Sequence, residues 1–230
     1  MEFGKLRVAL DGPSGAGKST IAKAVAAKSG LVYVDTGALY RTVGLFMAQH
    51  GIAKDDTEDI LAALPEVEIE LAYENGKQLV RLCGKEVGNA IRTEEASAYA
   101  SAVSALPGVR TFLLDLQRNL AERGGVIMDG RDIGTVIMPD AEINVFMTAS
   151  PEERARRRTL EQREKGENVT YEEVLAAILE RDRKDSEREA APLKPAEDAV
   201  RFVNDSYGID ECADYIIGLM KNWVLTHPEV

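Results

Sequence analysis

An α/β fold organised around a phosphate-cradling loop is predicted by three observations. The stretch Gly12-Pro13-Ser14-Gly15-Ala16-Gly17-Lys18-Ser19-Thr20 fits the pattern G-x-x-x-x-G-K-[ST]. An apolar run, Leu6 to Asp11, precedes it, and a helix-like segment, Ile21 to Lys28, follows it. Further short apolar runs then alternate with helical patterns along the chain, as a parallel sheet covered by helices requires.

Each fixed letter of the loop has a physical reason. Gly12, Gly15 and Gly17 let the backbone turn through positive φ and bring its N–H groups close to an anion. The following helix adds unpaired N–H groups and the positive end of its dipole. Lys18 supplies a point charge for the β- and γ-phosphates, and the Ser19 hydroxyl suits a Mg²⁺ that bridges them. The loop from Gly12 to Thr20, with Pro13, Ser14 and Ala16 between the glycines, is therefore read as an ATP site. A loop alone does not say where the phosphate goes.

Composition narrows the class. With 230 residues and 45% hydrophobic content the chain can bury roughly 70–75% of its unfolded surface. Lys+Arg number 28 against 39 Asp+Glu, and the resulting net charge of -11 argues against long nucleic acid as a partner. Cys83 and Cys212 lie far apart without metal-ligand spacing and read as reduced packing residues. No run approaches a membrane span and Met1 to Lys5 carry no signal-like apolar core, so a cytoplasmic protein with no membrane partner is expected.

Taken in order, Ser29-Gly30 closes the first helix and Leu31 to Val34 reads as a second buried strand. Asp35-Thr36-Gly37 leads into a helix with Leu39, Val43, Phe46 and Met47 on one face, ended by Gly51. Thr36, Tyr40 and Arg41 would then stand at the carboxyl edge of the sheet. Val67 to Tyr73 and Gln78 to Leu82, joined by Glu74-Asn75-Gly76, read as an antiparallel hairpin inserted into the parallel succession. Glu94 to Ser104 is a helix of small residues suited to close packing. After Pro107 a helix carries Val109, Phe112, Leu113, Leu116 and Leu120 inward, and Gly124-Gly125 stops it. Val126 to Asp129, Glu142 to Met147 and Ala199 to Val203 supply three more strands. Ser150 with Glu153, and Thr170 with Glu173, are capping-box signals for two helices, the second with Val174, Ala177 and Ile178 inward. A final helix, Ile209 to Val224, turns Ile216, Ile217 and Met220 to the core, and Thr226 to Val230 reads as a loose tail.

Three polar constellations each leave two readings open. Asp129 either holds Mg²⁺, in the manner of an acid ending an apolar strand, or caps the turn that follows. The run Arg154, Arg156, Arg157, Arg158 and Arg163 is either a solvated helix laced with ion pairs or a lid bringing guanidinium groups onto a transferring phosphoryl. Arg181, Asp185 and Arg188 share one helical face and form either a surface ladder or a carboxylate and fork for a sugar phosphate. Arginines outside the loop (Arg41, Arg110, Arg131, Arg188) favour a phosphate as acceptor, because a second anion must be held beside the first. With a second pKa of about 6, such an acceptor needs no strong base.

Five motifs together resemble the bacterial cytidylate kinase family: Asp11 to Lys18, Asp35 to Arg41, Asp129 to Val136, Arg181 to Arg188, and Ala191-Pro192-Leu193. The resemblance implies a P-loop nucleoside-monophosphate kinase fold with a parallel five-stranded core, a helical lid, and a monophosphate-binding segment enlarged by the antiparallel insertion. Its division of residues 1–230 would be a core of about 1–36, 104–150 and 171–230, a monophosphate segment of about 37–103 and a lid of about 151–170. It implies ATP and CMP or dCMP as partners, Mg²⁺ as cofactor and a monomer.

By the same resemblance Arg41, Arg131 and Arg188 hold the CMP phosphate, Arg181 and Asp185 approach the ribose, and Ser101, Arg110 and Asp132 read the base beside Thr36. Lys18, Arg131, Arg157 and Arg158 would carry the catalytic charge, with Ser19 on the metal directly and Asp129 through water. Thr36 stands where many members of the family have Ser, which keeps the hydroxyl, while Val203 to Gly208 matches no motif. A kinase of the same fold acting on UMP or AMP, and an ATP-driven switch, are the competing classes.

Overall fold

A computed structural model describes residues 3–74 and 77–228. By its contacts the chain divides into two units, Met1–Val32 with Arg123–Val230, and Tyr33–Glu122.

The first unit holds strand β1 (Arg7–Asp11), helix α1 (Lys18–Ser29), and the start of β2 (Val32–Asp35), whose Val32 N–H donates to the Gly125 carbonyl at 2.8 Å. Further along come β6 (Val126–Gly130), a single wide helical turn (Ile133–Ile137), β7 (Ile143–Thr148), α6 (Pro151–Glu164), α7 (Tyr171–Glu187), β8 (Val200–Val203) and α8 (Ile209–Thr226). The five-stranded sheet has the order β2-β6-β1-β7-β8, and β1 pairs in parallel with β6 on one side and β7 on the other. Val8, Ala9 and Leu10 are buried, as a central strand covered on both faces must be. The register sets Asp11 opposite Gly130, so the phosphate loop and the segment Arg131-Asp132 leave neighbouring strands at one edge.

The second unit holds α2 (Thr36–Gln49), α3 (Thr57–Ala63), α4 (Glu94–Val103), α5 (Pro107–Glu122) and an antiparallel sheet of β3 (Ile69–Glu74), β4 (Lys77–Leu82) and β5 (Lys85–Glu86). Short turns at Leu64–Glu66 and Gly88–Arg92 link them. Its core gathers Leu39, Val43, Phe46 and Met47 of α2 with Ile60, Val80, Leu82, Val103, Val109 and Leu113. The small residues of α4 permit close packing. A Cβ on Gly44 of α2 would come within 2.6 Å of the Tyr99 side chain.

The hairpin forms in the expected register, with Tyr73 opposite Gln78, while its turn residues Asn75 and Gly76 lie outside the described residues. So do Val230 and Glu229 of the expected tail, and α8 continues to Thr226. Gly30 closes α1 at φ 78° by donating to Ala26, as read. Other expectations need correction. Phe112 lies on the outer side of α5, where Arg110 and Gln117 take inward positions instead. Ala177 is exposed, since the small core between α6 and α7 is filled by Ala155, Val174 and Ile178 with Leu175 beside them. Cys83 is no packing residue: it is exposed in the tight turn between β4 and β5 at φ 47°, whereas Cys212 is buried. Ser150 does accept from the Glu153 N–H, but the Glu153 carboxylate turns to Arg156 and Arg157 rather than closing the box. The Thr170–Glu173 box is complete. Among the described residues no helix is long and apolar enough to cross a membrane.

Candidate active site

The loop between β1 and α1 is shaped by what surrounds it. At Gly12, with φ 149°, any Cβ would collide with the Met147 carbonyl, so β7 packs directly on the turn. Gly17 enters α1 at φ 84°, and no side chain caps that end, which leaves the first N–H groups of the helix for an anion. The Lys18 ammonium is buried and donates to the carbonyls of Gly12 and Pro13, each at 2.8 Å. Burial first, and the charge of Arg131 second, push its pKa down to about 7, against the pull of Asp129 and Asp11. The Ser19 hydroxyl donates to Asp129 at 2.7 Å. A hydroxyl and a carboxylate oxygen side by side suit a hard divalent cation that takes most of its ligands from phosphate and water.

Three buried groups whose contacts the sequence did not point to, Asn204, Arg154 and Asp11, brace this loop and the turn beside it. Asn204 donates from its amide to the Ala16 carbonyl at 2.8 Å and receives the Arg157 guanidinium at 3.3 Å, with a second Arg157 bond to its backbone. Arg154 sends one nitrogen to the Ser14 carbonyl at 3.0 Å, another to Ala149, and forms a two-point fork with Asp182 of α7 at 3.0 and 2.6 Å. Asp11 accepts the N–H groups of Ile133 and Gly134 at 2.9 and 2.8 Å, one on each oxygen. Burial pushes Asp11 up to about 6, although those two N–H groups pull the other way. Its carboxylate thus fixes the wide turn directly after Arg131 and Asp132.

That segment meets α7 within the same unit. Arg131 donates to Asp185 at 2.9 Å, and Arg188 stands 3.6 Å from Asp132. Burial alone would raise Asp185, but Arg131 and Arg181 outweigh it and hold the carboxyl below its usual range. Ala191, in the left-handed region at φ 48°, presents its carbonyl to Arg188 Nε at 2.7 Å. The Leu193 N–H returns to the Asp185 carbonyl at 2.7 Å. Asp185, with Arg181 beside it, is therefore turned to the sheet edge and is no surface ladder, while Arg188, read on the same helical face, is the extended cap that follows α7 and reaches Asp132 from there.

The arginines of α6 divide. Arg156 is exposed and pairs with Glu153, as a solvated ladder would, and Arg158 is half-buried. Arg157 lines a cavity of about 550 Å³ with Gly17, Thr20, Asn204, Tyr207 and Cys212. Residues 204–208 of the unmatched stretch are thus a wall of this cavity.

In the second unit Asp35 caps α2 through the Ala38 N–H at 2.9 Å and holds Arg41 at 2.7 Å. Thr36 is buried at the start of the same helix. A Cβ on Gly37 would press on Arg41 at 3.0 Å, so the glycine gives that guanidinium room to fold back. Arg110 is buried, lies 5.5 Å over the Tyr40 ring, and donates to the Ser104 carbonyl at 3.1 Å. Ser104 in turn donates to the Ser101 carbonyl at 3.1 Å, which ties Arg110 and Ser101 into one corner of the unit.

Comparison with known proteins gives a consistent result. A family described as cytidylate kinase matches residues 8–222. A cytidylate kinase from Geobacter sulfurreducens is 47% identical over 94% of this chain and 93% of its own. One from Caldicellulosiruptor saccharolyticus is 46% identical over 94% and 95%. A shikimate kinase from Bacteroides thetaiotaomicron, at 17% identity, shares the fold with a TM-score of 0.50 over 94% of this chain and 98% of that one. With near full-length coverage at this identity, and a P-loop and arginine cluster in the places described, this chain belongs to the cytidylate kinase family.

Proposed function

We propose that this chain transfers the γ-phosphoryl of ATP to CMP or dCMP, giving ADP and CDP or dCDP. The observation that carries the reading is the register of β1 and β6, which brings a phosphate loop and an arginine–carboxylate cluster out of adjacent strands. ATP lays its phosphates on the N–H groups from Gly12 to Thr20, with its nucleoside end toward the cavity beside Asn204 and Arg157. Ser19 directly, and Asp129 through water, would hold Mg²⁺, which would supply charge neutralisation at the ATP phosphates.

On the acceptor side Arg41, Arg131 and Arg188 grip the monophosphate, Arg181 and Asp185 approach the ribose, and Ser101, Arg110 and Asp132 read the base with Thr36 nearby. Cytosine offers an N4 donor to a carboxylate and its N3 and O2 acceptors to Arg and Ser; uracil reverses the first two of these and leaves buried partners mismatched. An acceptor phosphate oxygen forms the new bond to Pγ as the bond from Pγ to the ADP oxygen breaks, and the leaving oxygen keeps the electron pair. Lys18, freed from the carbonyls of Gly12 and Pro13, stays protonated against the phosphates, and Arg157 and Arg158 add charge from α6. Orientation and charge supply the rate.

Steady-state rates with ATP and each of CMP, dCMP, UMP and AMP test this. CMP or dCMP should exceed UMP and AMP in kcat/KM by at least about a hundredfold. A preference for UMP or AMP would overturn the base assignment, and ATP hydrolysis indifferent to any monophosphate would overturn the transfer itself.

A further inference from the structure

The antiparallel insertion has an attachment that its own sheet does not require. Gln78 of β4 reaches the end of β2 and pairs with the main chain of Asp35 at two points. Its side-chain carbonyl accepts the Asp35 N–H at 2.8 Å, and its amide donates to the Asp35 carbonyl at 3.3 Å. Asp35 is the residue whose two carboxylate oxygens are already committed, one to the first turn of α2 and one to Arg41. Arg41 itself carries a buried Nε with no hydrogen-bond partner. A buried, unsatisfied guanidinium N–H is costly unless a ligand oxygen completes it. One end of the arginine is therefore fixed by Asp35 while another waits for an acceptor.

We propose that Gln78 is a positioning residue for the acceptor phosphate: through the backbone of Asp35 it sets the carboxylate that aims Arg41 at the monophosphate. This rests on the reading of Arg41 as a phosphate ligand. It gives the insertion a part in substrate binding, since a hairpin that merely filled space would need no amide matched to both groups of one peptide residue. Gln is suited to this because its side-chain amide offers one acceptor and one donor in a single plane, the complement of the backbone pair it meets.

Gln78→Met keeps the length and removes both bonds. It is expected to raise KM for CMP and dCMP by the same factor, roughly tenfold, with KM for ATP within about twofold of the original. Inhibition by cytidine, which has no phosphate, should be unchanged. Gln78→Glu keeps the acceptor, loses the donor and should give a smaller rise; it serves also if the Met variant fails to fold. Arg41→Met is the control for the underlying reading. If it raises KM for CMP and Gln78→Met does not, the positioning role is wrong while the phosphate assignment stands. If neither changes KM for CMP, the assignment of Arg41 fails and the proposal with it. Equal rises for ATP and CMP, or weaker cytidine binding, would reduce Gln78 to a structural contact and also overturn the proposal.

Discussion

Asp11 shows most directly how one residue ties the fold to the chemistry. Its two oxygens meet two main-chain donors, and it is buried beside Lys18 and Asp132. A carboxyl whose folded pKa lies near 6, above its ordinary value, contributes stability that is present below about pH 4 and is lost as pH rises through about 6. Asp11→Asn cannot titrate, so the stability of the original protein relative to this variant should fall between pH 4 and 6.5, as read from denaturant midpoints. Parallel profiles would contradict the assignment. Asp11 also marks the limit of local pattern. The phosphate loop is legible because its chemistry sits in nine consecutive letters, each with its own reason. The partners of Asp11 lie 122 and 123 residues away, and nothing in the strand Arg7–Asp11 points to them. Asn204, whose amide bonds a carbonyl 188 residues earlier, was illegible for the same reason.

At the level of elements, α6 and α7 were readable as helices from their caps, but not as a unit with the loop. The charge run of α6 suggested either a surface ladder or a lid, and the structure divides it: Arg156 is the ladder, while Arg154 is a buried strut joining α6, α7 and the Ser14 carbonyl. Arg154 is 3% exposed at its side chain and Asp182 22%. Removing one partner of such a pair leaves the other charge uncompensated, at a cost of about 3 kcal/mol. Arg154→Met should therefore lower stability by roughly that much, and Arg154→Met combined with Asp182→Leu should recover part of it. Additive losses in a double-mutant cycle would show that the two side chains do not act as a pair. The insertion was legible as a hairpin from its alternation, yet α3 was not foreseen, because its seven residues bury only Ile60 and carry almost no periodic signal. Cys83 was misread for a related reason: composition assigns cysteine to the interior, and only the turn between β4 and β5 places it outside.

Across the molecule 39 Asp and Glu outnumber 28 Lys and Arg, to a net charge of -11, while the phosphate loop and the Arg131 segment proposed to take phosphate carry buried or half-buried basic groups. Such a distribution attracts a small, multiply charged ligand into a lined site while repelling an extended polyanion. Duplex DNA at about 100 mM salt should therefore show no mobility shift with the protein; a shift would mean that the basic groups form a continuous exposed track. The pairing of β1 with β6 has a larger consequence. Neighbouring strands stand about 4.8 Å apart because peptide hydrogen bonds hold them there, and the phosphate loop and the segment Arg131-Asp132 are rooted one on each. In the transfer proposed above, the gap the phosphoryl group crosses is thus graduated by the backbone ladder. Changes of side chain can alter which molecule waits on the far bank, but the width of the crossing is inherited from the sheet.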